Sequence, residues 1–396
     1  MHVLAVHNEY KIRGGEDECY EAEVALLRER GHKVEVYEET NDRLAHFGRV
    51  QLAAKTVWSQ DAYQAVRRTL AAASFDVMHV QNFFPLISPS IYYAAKAEGV
   101  PIVQTLHNYR LLCPNALFFR GGQVCEDCLG KVIPYPGVQH GCYRENKVAS
   151  AGVATLLTVH RFMRTWTKTV DLYVALTEFA RQKFIEGGLP AEKIVVKPHF
   201  IHPDPGLGQG SGGYALYVGR LSVEKGLDTL LDAWTLLGDR IPLKIVGDGP
   251  LSDRVIEATQ RLPKVEWLGR KPLAEVYRLM GEATCLIFPS KWYETFGRVA
   301  VEAFAKGTPV IAANIGAIAE LVDNGRTGLH FCPGDPDDLS KQVKWLLENP
   351  ATLAHMRQAA RAEFEAKYTV ERNYQELINI YTIAHKRQTI SPGRPI

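Results

Sequence analysis

The chain has 396 residues, with 46 Lys and Arg against 44 Asp and Glu and a formal net charge of +2. That balance excludes the basic excess of a nucleic-acid-binding chain, and 46% hydrophobic with 23% charged residues excludes a disordered one. The longest apolar stretch free of Lys, Arg, Asp and Glu, Val148 to His160, is shorter than the ~20 residues of a spanning helix.

The length suggests two or three domains. Met1 to Asn8 lacks a basic leader and a long apolar core, so no secretory signal is read there, and the seven cysteines are expected as reduced thiols in the cytoplasm. In chain order, short β-branched runs precede amphipathic stretches. Val3–Val6 predicts a strand, Cys19–Arg30 a helix stopped at Gly31, and Val34–Tyr37, Asp76–Val80 and Pro101–Leu106 further strands. Then comes a loop-rich segment, 113–142, holding Cys113, Cys125, Cys128 and Cys142 among several Gly and Pro. Four thiolates can close a tetrahedral structural zinc site that would staple such a loop, with His140 as an alternative ligand; disulfides and unpaired thiols are the rival readings. From Leu156, the apolar Val159, Met163, Trp166 and Val170 predict one helical stripe facing the core. Arg161, Arg164 and Lys168 then form a basic face, either solvated or touching anionic lipid.

Leu172–Leu176 leads to a helix capped by Thr177, and Ile194–Val196 ends the first series. Ile201 to Gly213, with two Pro and five Gly, reads as an interdomain linker. The pattern restarts with strands at Tyr214–Val218, Leu243–Val246, Val265–Leu268, Cys285–Phe288, Val310–Ala312 and Gly328–Phe331, each ending in turn-forming residues. Asp335-Pro336-Asp337-Asp338 reads as a helix start, and the last 30 residues as a helix fraying at Ser391-Pro392-Gly393. Strands alternating with helices predict an α/β chain of two Rossmann-like, doubly wound domains facing across a cleft: 1–200, a linker 201–213, 214–368, and a C-terminal helix, 369–396, packing back on the first domain.

Two clusters carry chemistry. Gly219-Arg220 closes a strand, and Lys225 follows just before a helix. A planar guanidinium, a point charge and helix N–H groups together suit a diphosphate. Glu294 and Glu302 flank Phe296-Gly297-Arg298-Val299, where a loop carboxylate can accept from sugar hydroxyls and a helix carboxylate from a ribose.

The order of these motifs, with Val-Gly-Asp-Gly-Pro between them and Ala-Phe-Ala-Lys-Gly-Thr-Pro-Val-Ile-Ala after them, resembles the family 4 glycosyltransferases, retaining enzymes of the GT-B fold, such as those of bacterial polysaccharide assembly. The resemblance spans nearly the whole chain and is strongest from Tyr214 to Ala313. It implies that Arg220 and Lys225 bind a donor diphosphate beside Gly219, Glu302 the nucleotide ribose and Glu294 the transferred sugar. It further implies that Phe296, Gly297, Arg298 and Val299 lie against sugar and phosphate, and that Gly247, Asp248, Leu268 and Arg270 frame the base. In the first domain, Gly14 and Gly15 match the glycine loop over the phosphates, and His107 the histidine approaching the donor sugar. Two departures stand out: Pro198-His199-Phe200 lacks the family's Asn, and Glu16 and Asp17 add acidity to the glycine loop.

The implied activity moves a sugar from a nucleotide-diphosphate sugar to a saccharide or lipid-linked acceptor. The diphosphate leaves from the front face and no catalytic metal is obligatory. The implied location is the cytoplasm, with peripheral contact at the inner face of the membrane. The alternatives are an epimerase or phosphorylase of the same fold and a non-catalytic nucleotide-sugar binding protein.

Overall fold

The computed structural model describes residues 1–11 and 13–390; the fraying expected at Ser391-Pro392-Gly393 lies outside them. The chain divides into two compact units. One comprises Met1–Phe118, Glu126–Pro198 and the chain from Glu371 on; the other comprises Phe119–Cys125 and His199–Val370.

The first unit is built on strands β1 (His2–Glu9), β2 (Lys33–Thr40), β3 (Val77–Val80) and β4 (Ile102–Thr105), a small antiparallel hairpin β5 (Phe119–Arg120) and β6 (Gln123–Val124) being assigned to the second. Strands β7 (Leu172–Ala175) and β8 (Ile194–Val196) complete a parallel sheet in the order β2-β1-β3-β4-β7-β8. Its core gathers Val3, Ala5, Val77, Val103 and Val174 with Leu377, Ile380, Tyr381 and Ala384 of the helix Val370–Ile390.

The second unit carries β9 (Ala215–Val218), β10 (Leu243–Val246), β11 (Val265–Gly269), β12 (Cys285–Phe288), β13 (Val310–Ala313) and β14 (Gly328–Phe331). They form a parallel sheet ordered β11-β10-β9-β12-β13-β14. Strand order reverses beside β9 and β12 here, and beside β1 and β3 in the first sheet. Loops leaving the carboxyl ends of those strands part at these places and leave a crevice.

Several expectations shift. The first helix begins at Gly15, four residues early, because the Asp17 carboxylate accepts from Gly14 N–H at 2.9 Å and caps the turn. The segment read as a linker is a strap on the second unit: Gly208, Gly210 and Gly212 donate to the carbonyls of Lys306, Gly281 and Glu282. The chain's two units part at Pro198 instead. A Cβ on Gly208 would stand 2.3 Å from Gly281, so this glycine serves close approach. The helix Lys147–Phe162 stops before Met163, and Arg164 turns left-handed at φ 57°. The stripe therefore breaks, leaving Met163 exposed while Trp166 is buried. Asp335 does cap the helix Pro336–Glu348, accepting from Asp338 N–H at 2.9 Å. Among the described residues no helix is long and apolar enough to cross a membrane.

Candidate functional site

In the second unit the site residues leave the strand ends on either side of the reversal. Arg220 follows β9 and stays exposed, with its guanidinium in none of the side-chain bonds found among the described residues. Lys225 reaches the loop after β12, where its Nζ lies 2.6 Å from Glu294 Oε1 and 5.2 Å from the Trp292 ring centre. Gly226 lets the two loops meet. Its φ is 72°, and a Cβ would fall 1.8 Å from the Pro289 carbonyl oxygen. Ser290 Oγ (3.0 Å) and Trp292 Nε1 (2.9 Å) donate to the same carboxylate oxygen of Glu294, so three donors fix one buried acid. Gly297, at φ 121°, starts the helix Arg298–Ala305, and Arg298 Nε holds the buried Glu302 at 2.9 Å. Val299 lies in its first turn, and Phe296 packs edge-on against His199 and Tyr368.

The remaining loops of the expected site sit on the neighbouring strands. Gly247 follows β10 with φ 136°, and a Cβ there would stand 1.9 Å from the Gly219 carbonyl oxygen. Asp248 Oδ1 accepts from Gly249 N–H and Ser252 Oγ, which holds its carboxyl below the usual range and spends it on the turn. Leu268 and Arg270 flank Gly269 at the end of β11, half-buried and exposed respectively.

In the first unit, Gly14 is extended and a Cβ on it would meet nothing within 4 Å, so packing inside the unit does not demand glycine there. Gly15 opens the helix. His107 follows β4, and its Nε2–H donates to Gln81 Oε1 at 2.6 Å; burial pushes its imidazole down to about 3, so it is neutral. A recess lined by Tyr10, Gln81, Asn82, His107, Asn108 and Arg110 adjoins it. Sequence reasoning missed Gln81, Tyr10, Ser290 and Trp292 as members of these sites. Gln81 had a signal, its place just after a predicted strand.

The acidity at Glu16 also acquires a meaning. Burial pushes its carboxyl up to about 8, despite hydrogen bonds from Asn108 (3.2 Å) and Tyr10 (3.4 Å) to Oε2. Its Oε1 is buried with no hydrogen-bond partner among the described residues. Between the ordinary value near 4.5 and about 8, the folded chain binds more protons here than the unfolded chain. This group's contribution to stability is therefore full at low pH and is lost as pH rises toward 8. Glu16→Gln should be more stable than wild type at pH 9 by roughly 1–3 kcal/mol, a value discounted for water access, and nearly equal at pH 4. Urea unfolding at both pH values checks it; equal differences at the two would refute the assignment.

The cysteine segment is held by side chains reaching in from elsewhere in the first unit. Arg161 donates to the carbonyls of Leu111, Lys131 and Val132, and Lys183 pairs with Glu126 at 3.0 Å. Arg161 thus leaves the basic face, while Arg164 and Lys168 stay exposed. Cys113 Sγ–H donates to Asn115 Oδ1 at 2.9 Å, and burial raises its thiol. Cys128 is buried, with Cys125 and Cys142 half-buried. Among the described residues no group of three His, Cys, Asp or Glu side chains is arranged to hold a metal ion. The expectation of zinc at Cys113, Cys125, Cys128 and Cys142 therefore rests on spacing and composition, without a gathered ligand set.

Comparison with known proteins gives the following. A family model described as "Glycosyl transferases group 1" matches residues 207–363, and one described as "Glycosyl transferase 4-like domain" matches residues 14–199. Glycogen synthase of Mycobacterium tuberculosis (strain ATCC 25618 / H37Rv) is 35% identical over 159 residues, 39% of this chain and 38% of that protein. Spore coat protein SA of Bacillus subtilis (strain 168) is 24% identical over 388 residues, 93% of this chain and 95% of that protein. The first curated relatives are matched over only 38% to 62% of their own length. Anabaena HepE, solved in complex with UDP, superposes with a TM-score of 0.69 at 20% identity, covering 96% of this chain and 100% of that one.

Proposed function

This chain belongs to the family 4 glycosyltransferases of the GT-B fold, and on that premise we propose that it moves a sugar, with retention of anomeric configuration, from a nucleoside-diphosphate sugar to a saccharide or lipid-linked acceptor. The observation that carries this reading is the cluster of charged side chains at the carboxyl ends of β9 and β12. Lys225 meets Glu294 there at 2.6 Å, Arg220 stands exposed at the strand end, and Glu302 lies buried on the following helix. Arg220 and Lys225 take the diphosphate, with N–H groups at the start of the helix Arg298–Ala305 adding to the positive field. Glu294 accepts from hydroxyls of the sugar and Glu302 from those of the ribose. Since packing does not require a glycine at position 14, backbone approach to a phosphate is the use we assign to it. The UDP bound by HepE supports a nucleoside diphosphate as the donor's leaving half.

In the transfer, the bond from the anomeric carbon to the diphosphate oxygen breaks as the acceptor oxygen bonds to that carbon from the same face. A departing phosphate oxygen takes the acceptor's proton. Arg220 and Lys225 stabilise the leaving charge. A mass-spectrometric screen of nucleotide sugars, followed by transfer assays with lipid-linked acceptors of surface-polysaccharide assembly, tests the proposal. Donor conversion without acceptor would instead indicate an epimerase, and binding without turnover across the panel a binding protein.

Three further expectations are tested beside it. With cationic side chains on the diphosphate, adding Mg²⁺ or Mn²⁺ to metal-free buffer should change turnover by less than about 2-fold, because no step needs a metal's Lewis acidity. If the four cysteines hold a structural zinc, protein purified without a metal-affinity tag carries about one equivalent, as a closed four-ligand site does; below roughly one-tenth equivalent the zinc proposal fails. The third expectation is peripheral attachment at the cytoplasmic face of a membrane. Phe162 (70% exposed) and Met163 (45%) sit beside exposed Arg164 and Lys168, an apolar and basic turn suited to anionic lipid. More protein should sediment with anionic than with neutral vesicles at low salt, and equal recovery would end the idea.

A further inference from the structure

We propose that an apolar cavity in the first unit, between the helices Arg49–Val57 and Lys147–Phe162, seats the hydrocarbon chain of an anionic membrane lipid whose phosphate meets Arg144. That this lipid is the sugar acceptor rests on the glycosyltransferase reading; the chain site itself does not.

The cavity holds about 310 Å³, at the lower end of the ~300–1,000 Å³ of small-molecule pockets. Leu44, Leu52, Phe84, Pro85 and Val153 line it. Two polar residues of its wall are spent on backbone. Thr56 Oγ1 donates to the Leu52 carbonyl at 2.8 Å, and Asn146 Oδ1 accepts from Ala149 N–H at 2.9 Å. Gly152 leaves room between the two helices: a Cβ there would meet only Ala53 Cβ, at 3.7 Å. Against such walls a saccharide would leave its hydroxyls without partners, whereas a hydrocarbon chain has none to satisfy.

The mouth is basic. Arg144, exposed, holds its guanidinium 5.4 Å from the Tyr143 ring centre, and Arg110 stands 5.1 Å from the same ring and 4.4 Å from that of Phe84. Lys147 is exposed at the start of its helix, whose N–H groups add positive field, and one exposed carboxylate, Glu145, stands against them. That balance suits a phosphate. Phe84 and Arg110 also border the recess that holds Tyr10 and Asn108, so a chain seated in the cavity brings its head group there. The outer surface says that the chain comes from a membrane. Val148 (73% exposed), Thr155 and Phe162 recur every seven residues along one exposed face of the helix Lys147–Phe162, which carries no Lys, Arg, Asp or Glu between Lys147 and Arg161. Val50 (85% exposed) stands on the helix packed beside it. An uncharged helix face with basic residues at both ends, Arg144 and Lys147 at one and Arg164 and Lys168 at the other, complements an anionic bilayer.

The test is isothermal titration calorimetry of the full chain with alkyl phosphates below their micelle-forming concentrations. Octyl, decyl and dodecyl phosphate should tighten by about 10-fold for each two carbons, since each methylene taken from water is worth about 4-fold. Gly152→Leu fills the cavity while favouring the helix, and should weaken dodecyl phosphate by at least about 10-fold. Dodecyl maltoside, with the same chain and no charge, should bind about 10-fold more weakly than dodecyl phosphate, as loss of a charge-assisted contact implies, and Arg144→Gln should narrow that gap. Affinity independent of chain length, inorganic phosphate binding as tightly as dodecyl phosphate, or unchanged affinity in Gly152→Leu overturns the chain site. Equal affinity for the maltoside overturns the phosphate contact. A wild-type dimer that Val148→Asp dissociates, seen by sedimentation velocity, gives the face to a second copy and overturns the lipid. None of these readouts needs turnover, and the chain-length series on the wild type decides even if Gly152→Leu fails to fold. With an active donor in hand, a long-chain acceptor should exceed its short-chain form by at least about 10-fold in kcat/KM. Equal values would overturn the acceptor half, whereas alkyl phosphate binding without transfer to any acceptor would count against the transferase reading alone.

Discussion

Lys225→Ala should lower kcat/KM for transfer by about 10²–10³-fold while the chain stays folded. The loss has two sources. A charge-assisted hydrogen bond to a bound phosphate is worth roughly 1.5–3 kcal/mol. A fixed cation aimed at leaving-group charge acts most strongly in the transition state, where losing one such donor typically costs about 2.7–4 kcal/mol. Lys225 also pairs with Glu294, whose side chain is 10% exposed and also accepts from Ser290 and Trp292. Arg220→Ala removes an exposed group, so a smaller fall, about 10-fold, is expected. Steady-state kinetics with the identified donor, beside circular dichroism of each variant, make the measurement. Near-normal turnover in both variants would remove the diphosphate site from this crevice.

Glu23→Ala should be the most destabilising of these substitutions, by about 3–5 kcal/mol, because it strands a buried charge. Among the described residues Lys197 would keep the Asn373 side chain alone, and the partners now tied to Glu23, Gln81 and His79, would lose it together. Adding Lys197→Met to Glu23→Leu should recover much of the loss, since an apolar pair of similar volume has no stranded charge. A two-unit chain need not unfold in one step. Native-state hydrogen exchange of the β3 and β7 amides is therefore the proper readout, and unchanged protection in Glu23→Ala would show that the cluster carries little of the first unit's stability.

The β-branched runs at Val3–Val6, Leu243–Val246 and Val310–Ala312 announced strands, because a pleated, fully buried strand needs little more than apolar, branched side chains in sequence. The cap residues Thr177 and Asp335 were equally legible, since a cap is a bond to a backbone N–H three residues away. Motif order carried the family and the doubly wound fold.

What distant segments do to one another was decided by tertiary structure alone. The glycines of the 201–213 segment read as an interdomain linker, yet Gly208 is there because Gly281 passes at contact distance. Met163 kept helical spacing, yet the helix had already ended at Phe162. Gln81, Glu23, Lys197 and Asn373 are scattered along the chain and form one buried network only once the sheet and the last helix are packed. The carboxyls of Glu16 and Glu23 are the same group in the sequence. Burial that Asn108, Tyr10 and Arg110 only partly offset raises one, and burial beside Lys197 and His79 lowers the other, because the free energy of a charge depends on the solvent it loses and on the charges it meets.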